Sequence, residues 1–309
     1  MLETPASPDP RAFDRVPRAE RALEEARRPS VSYWHDAWRR LRADRVAMLG
    51  LVCVVLITII GFAGPSFTTF NPARQNLLNT NALPNAVNWF GTDQFGRDIF
   101  TRVIYGVRIS LIVAYVATIF SVFIGIVYGS VSGVIGGRTD QVMMRIVDIL
   151  IGVPNLLYLI LLMVVFGPGL ISIIVAFATT GWLGMARMVR AEILSLKQRE
   201  FVLAAQAFGF GRWRITFKHL IPNTLGTIIV LTTLGIPGAI FTEAFLSYIG
   251  LGVSAPQASL GVLASDATAT YMTHPYQLFF PAMAIVVMIL VFNFLGDGLR
   301  DALDPKMRR

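Results

Sequence analysis

The sequence predicts an all-α membrane protein, a bundle of six transmembrane helices, on three observations. Hydrophobic residues make up 54% and charged residues 15% of the 309 positions, with a mean hydropathy of +0.61, a composition suited to lipid rather than to water. The apolar residues gather in uninterrupted runs of spanning length. The 27 basic residues lie between and beside those runs, where they report topology. A net charge of +8 distributed in this way argues against a nucleic-acid surface.

Residues 1–31 are read as a disordered cytoplasmic tail, because 1–30 are rich in Pro, Arg and Glu and lack the apolar core of a cleavable signal. In the basic segment 32–45, Trp34, Trp38 and Leu41 recur at helical spacing among Arg39, Arg40, Arg42 and Arg45. This pattern fits an amphipathic helix on the membrane surface and equally a basic extension of the first span.

A helix needs roughly 20 apolar residues to cross about 30 Å of hydrocarbon. Val46–Phe67 supplies the first span, within 46–67, and 68–108 forms an outer loop before the core, 109–309. Ile109–Gly137 is the second span. Ile149–Ala186 is long enough for two, with the turn at Phe166-Gly167-Pro168-Gly169. Thr224–Leu246 and Gln277–Gly296 complete the six. Six spans put both termini on one side. Placing that side in the cytoplasm leaves only Arg74, Arg97, Arg102 and Arg108 on the outer side. The runs lack the two-residue alternation of a membrane barrel, and open sheet is excluded in lipid.

The inner loop 190–222 is too long and too patterned for a passive connector. Glu200 to Phe208 reads as a short projecting helix stopped at Gly209, with Phe201, Ala204, Ala205 and Phe208 on one face. Such a face asks for a partner groove, the aromatics as anchors and the alanines allowing close approach. The stretch resembles the EAA loop of bacterial ABC importer permeases, whose pattern is Glu-Ala-Ala, three residues, Gly, and later Leu-Pro. Ala204, Ala205, Gly209 and Pro222 match it; Leu203 stands where the pattern has Glu, leaving Glu200 as the nearest acid, and Ile221 replaces Leu.

A second stretch, Gly91-Thr92-Asp93-Gln94-Phe95-Gly96-Arg97-Asp98, resembles the segment entering span two in C-type subunits of the dipeptide, oligopeptide and nickel permease family. Gly136-Gly137-Arg138-Asp140, the Pro154 region, 247–252 and 296–305 resemble the same family. The resemblance implies a type I importer fold and a permease that itself is no enzyme. It further implies a second homologous permease subunit, two ATP-binding subunits docked on the EAA-type loops, and an extracytoplasmic solute-binding protein. ATP and magnesium would be held by the partner subunits, so no cofactor is expected on this chain.

Consistently, none of Lys197, Lys218 and Lys306 completes a Walker A sequence. No HExxH or GxSxG is present, and His219 and His274 have no companion ligands at metal spacing. Cys53, the single cysteine, excludes an internal disulfide. Among the ionisable groups near the spans, Asp148 is expected to pair with Arg145. Asp98 and Arg102 have the spacing of an exposed helical pair at the start of a helix, the alternative being contact with a delivering binding protein; Glu243 has a place where it would face a translocation cavity, lie exposed at the interface or bond the partner subunit. Peptide import is the expected function, with nickel or other small-solute import, or an ion-coupled secondary transporter, as the alternatives.

Overall fold

The computed structural model describes residues 33–253 and 257–304. Among them the chain is helical almost throughout, with no strand and one isolated bridge, Thr92 to Asp98. The expected disordered tail, 1–31, lies outside the described residues. The end of the bundle bearing 33–44, 136–154 and 197–220 is termed inner, following the positive-charge bias, and the opposite end outer.

α1 (Tyr33–Ala43) and α2 (Arg45–Ala63) part at Asp44, whose extended backbone turns the chain. The Asp44 carboxylate accepts the N–H groups of Val46 and Ala47, capping the first span. α1 is therefore a helix of its own and not an extension of that span.

α3 (Ile99–Ile135) begins ten residues before the expected second span. Asp98 caps it, accepting the Thr101 N–H at 2.8 Å, so the last part of the expected outer loop is helix. At 37 residues it runs about 55 Å and projects beyond the hydrocarbon. The expected third span also differs. α4 (Gly137–Gly152) and α5 (Asn155–Phe166) meet at an 84° bend instead of forming one rod. Pro154 brings no N–H and forces Val153 into an extended conformation, which ends α4.

The turn at 166–169 falls where expected. α6 (Leu170–Thr180) and α7 (Trp182–Leu196) then continue through Gly181 as one 27-residue span. α8 is Glu200–Ala207, and α9 (Arg212–Ile215) leads through a π turn, Thr216–Leu220, into α10 (Ile221–Tyr248). α11 (Leu260–Ala267) lies across the outer end, and α12 (Tyr276–Leu303) closes the bundle. Five helical stretches are long and apolar enough to span a membrane, six if the bent α4–α5 pair is one span.

In lipid, burial of apolar surface does not drive helices together, so close backbone packing and polar contacts must. α3 presents Gly125, Gly129 and Gly133 along one stripe to α7. A Cβ at Gly129 would stand 2.4 Å from Ala186 O. α12 meets α2 in the same way through Gly298, where a Cβ would come 2.1 Å from Ala47 Cβ.

The outer segment 64–98 is a folded cap. Asp93 accepts Arg97 Nε at 2.6 Å and Arg102 Nη1 at 2.5 Å, while Asp266 of α11 accepts Nη2 from both arginines. Two carboxylates and two guanidinium groups thus balance, and both arginines are buried. Gln277 donates to Asn81 Oδ1 and Thr92 O, and Phe90 stacks on Phe280 at 3.9 Å, tying the cap to α12.

Two substitutions test this packing by thermal unfolding of the purified chain in detergent. Gly129→Leu inserts a side chain into a seam with no room and is expected to destabilise by about 1–3 kcal/mol or more. Asp93→Ala leaves two buried arginines short of their carboxylate, with an expected loss of about 3–5 kcal/mol. An unchanged melting temperature in either variant would refute the corresponding contact.

Candidate coupling site and translocation face

α8 is eight residues long because Arg199 enters it extended and Gly209, at φ +76, ends it. The Gly209 N–H bonds Gln206 O and the Phe210 N–H bonds Ala205 O, satisfying carbonyls left open by the last turn. The helix divides cleanly. Val202 and Ala205 face inward, in a cluster with Ile193, Ile215 and Leu220. Glu200, Phe201, Leu203, Ala204 and Phe208 face outward, Phe208 being 81% exposed. Ala205, grouped above with the outward-facing residues, thus belongs to the chain's own core. The exposed surface continues through Phe210 and Trp213 to Phe217, with Arg214 resting 4.8 Å from the Phe210 ring. Pro222 lies exposed immediately after the π turn, in which Ile221 N–H reaches back five residues to Thr216 O.

What holds α8 in place is polar. Lys197 Nζ, three residues before it, donates to Gly133 O and Val134 O at 3.1 and 3.2 Å, capping the inner end of α3. Arg190 forms a two-pronged bond to Asp140 of α4, and Ser132 of α3 donates to the same carboxylate. α3, α4 and α7 are pinned together where the chain enters α8. Nothing local in the sequence marks Arg190, Lys197 or Asp140 for these contacts. Their partners lie tens of residues away, where no spacing rule reaches.

Three expected placements are corrected. Asp148 pairs with Arg187 at 2.7 Å across two helices, not with Arg145, and both partners are about half exposed. Asp98 and Arg102 form no exposed pair: Asp98 caps α3 and accepts from Asn88, while Arg102 is buried against Asp93 and Asp266. Glu243 is fully buried and faces no cavity. Its carboxyl accepts Ser110 Oγ at 2.6 Å and Ser247 Oγ at 2.9 Å, joining α3 to α10 beneath the outer cap.

The signature Gly91, Thr92, Asp93, Gly96, Arg97 and Asp98 is likewise buried and packs within the cap. Gly96 sits at φ +69, and a Cβ there would collide with Asn76 O at 1.8 Å.

One face of the bundle carries an open groove of about 460 Å³ between α3, α6–α7 and α10. Thr118, Ser121, Gly181, Met185, Gly235 and Thr242 are among its lining residues, and none of the lining residues is charged. The hydroxyls of Ser121 and Thr242 donate to carbonyls of their own helices, which leaves each oxygen only an acceptor for anything else at the groove.

A multi-helix membrane chain with an exposed inner-loop helix and an uncharged groove has the parts of a transport permease, and its relatives show that class. The family model described as "Binding-protein-dependent transport system inner membrane component" matches residues 125–309, and the chain belongs to that family. The model for the "N-terminal TM domain of oligopeptide transport permease C" matches residues 32–84.

The chain is 51% identical over 290 residues to the dipeptide transport system permease protein DppC of Bacillus subtilis, covering 94% of this chain and 91% of that one. It is 50% identical to the oligopeptide transport system permease protein OppC of the same organism, covering 93% and 94%. OppC of Escherichia coli K12 is 42% identical over 90% of this chain and 92% of its own. Among solved structures, a chain of the MetNI methionine ABC transporter in an inward-facing conformation aligns with a TM-score of 0.56 at 20% identity. The alignment covers 67% of this chain and 98% of that chain and supports a type I importer permease fold.

The Glu243 site predicts a graded response in the same thermal assay. Glu243→Gln keeps an acceptor for one serine and is expected to cost little, whereas Glu243→Ala leaves both hydroxyls unmatched beside a cavity and should destabilise by about 2–4 kcal/mol. Equal melting of the two variants would contradict the hydrogen-bonded role.

Proposed function

We propose that this chain is one of two homologous permease subunits of an ATP-driven importer that carries di- and oligopeptides across the cytoplasmic membrane, with both termini in the cytoplasm. The observation that carries the reading is α8: a firmly seated helix at the inner end whose exposed face carries Phe201, Leu203, Ala204 and Phe208 beside Glu200. Phe201, Leu203 and Phe208 supply the anchors, and Ala204 between them leaves room for close approach. The peptide substrate is supported by relatives named for dipeptide and oligopeptide transport at 50–51% identity over more than nine-tenths of the chain.

In this reading ATP and magnesium bind two partner ATPase subunits whose clefts receive α8 and its counterpart on the second permease. An extracytoplasmic binding protein delivers solute to the exposed part of the outer cap, where Leu77, Leu78 and Trp89 stand free of the packed signature. Closure of the ATPase pair displaces α8. The Lys197 and Arg190 contacts carry that displacement into α3 and α4 and change which side the groove faces. ATP drives the change only because the closed ATPase pair fits one of the two arrangements better. The groove, uncharged and lined with hydroxyl oxygens and glycine, offers a peptide backbone acceptors without selecting among side chains. Selection then rests with the binding protein.

The test is uptake of labelled di- and oligopeptides, with nickel as comparison, in cells lacking the chain and complemented with variants. Phe208→Asp changes an exposed side chain and is expected to leave insertion and melting unaltered. Recovery of the ATPase subunits with the permease should fall at least tenfold, and peptide uptake should disappear. Normal recovery and uptake would defeat the docking assignment. Loss of nickel uptake with peptide uptake intact would move the substrate to metal import, and transport by the purified chain alone without ATP would indicate a secondary transporter.

A further inference from the structure

α1 touches its own chain along one stripe. Leu41 packs in a cluster with Ala47, Leu299 and Ala302, Ala37 is buried, and the Tyr33 hydroxyl donates to Leu303 O at 3.1 Å. The remaining surface is exposed and carries Trp34, His35, Trp38, Arg39 and Arg42, the two tryptophans being 46% and 47% exposed. A shallow groove of about 350 Å³ opens among His35, Trp38, Arg39, Arg42 and Ala43.

The charge on this surface is compensated only in part. Asp36 is shared by Arg39 and Arg40, and Asp44 caps α2. Arg42 and Arg45 have no carboxylate in ionic contact among the described residues, and the Arg42 guanidinium sits 6.0 Å from the Trp38 ring centroid.

The depth of α1 follows from its neighbour. α2 starts one residue after Asp44, and its exposed Val46 and Leu49 bring hydrocarbon to within a turn of Arg45. α1 accordingly lies at headgroup level, where tryptophan rings settle and guanidinium groups meet phosphates.

We infer that the Trp34–Trp38–Arg39–Arg42 face of α1 is a binding site for an anionic phospholipid. The tryptophans lie among the glycerol backbones, Arg42 holds the phosphate with a two-pronged hydrogen bond, and Arg39, whose Nη2 is engaged by Asp36, adds its remaining donors. The excess of guanidinium over carboxylate selects an anionic headgroup over a zwitterionic one, whose own ammonium would be repelled. The site holds the first span at a set depth and does not depend on what the permease carries.

The full chain, reconstituted in phosphatidylcholine vesicles doped with brominated phosphatidylglycerol or brominated phosphatidylcholine, provides the test. Subtracting the signal of a Trp34→Phe/Trp38→Phe variant isolates quenching at the site. Half-maximal quenching is expected at a mole fraction at least tenfold lower for the brominated anionic lipid than for the zwitterionic one. Arg39→Gln/Arg42→Gln should erase the preference, at about fivefold per arginine, without altering melting. Equal quenching by both lipids, or a preference that survives the arginine substitutions, would overturn the assignment. Quenching by neither lipid would also overturn it and leave the face to a protein partner.

Discussion

The close seat of α3 on α7 is the contact on which the remaining geometry depends. Three glycines at four-residue intervals let the two backbones approach until a single Cβ at Gly129 would collide with a carbonyl. In lipid this closeness replaces the hydrophobic drive available to a soluble core. Once α3 is fixed against α7, its 37 residues serve as the reference for the other helices, and polar contacts at three heights set their register. The Asp93–Arg97–Arg102–Asp266 cluster lies at the outer end, the Glu243 carboxyl with Ser110 lies below it, and the Asp140–Arg190 pair with Lys197 closes the inner end.

Each of these polar sites is costly to bury, and each is nearly closed. The outer cluster balances two acids with two bases, and Glu243 meets serine hydroxyls. A lipid-facing helix pair can slide or rotate with little change in apolar contact. A carboxylate that finds its arginine or serine in one register only removes that freedom. The groove, by contrast, is lined by no charged residue.

Much of this architecture is legible in the residues alone. Charge-free runs delimit the spans, the Gly167-Pro168-Gly169 break separates α5 from α6, and Gly209 ends α8, because each depends on chemistry local to a few residues. Partner identity is a different matter. Asp148 has Arg145 three residues before it yet bonds Arg187, because α7 brings a better-aimed guanidinium across the gap. Glu243 looks like a charge stranded in a span until Ser110, 133 residues away, is found beside it. The i, i+4 spacing of Asp98 and Arg102 suggests helix, but charges in 97–108 place the span boundary at 109, and only the pairing of Arg102 with Asp93 and Asp266 shows why α3 starts at Ile99. Helical spacing groups Ala205 with Phe201, Ala204 and Phe208, but spacing does not say which side of a short helix lies against the bundle.

The Lys197 contact with Gly133 and Val134 has a mechanical corollary. It fastens the approach to α8 to the tip of a rod about 55 Å long whose far end is embedded in the outer cap. Tilting such a rod by about 5° about one end moves the other by roughly 5 Å, comparable to the rise of one helical turn. In the coupling proposed above, leverage of this kind would let a small push at one membrane surface open or shut a gap at the other, while the glycine seam keeps the rod from rolling as it swings.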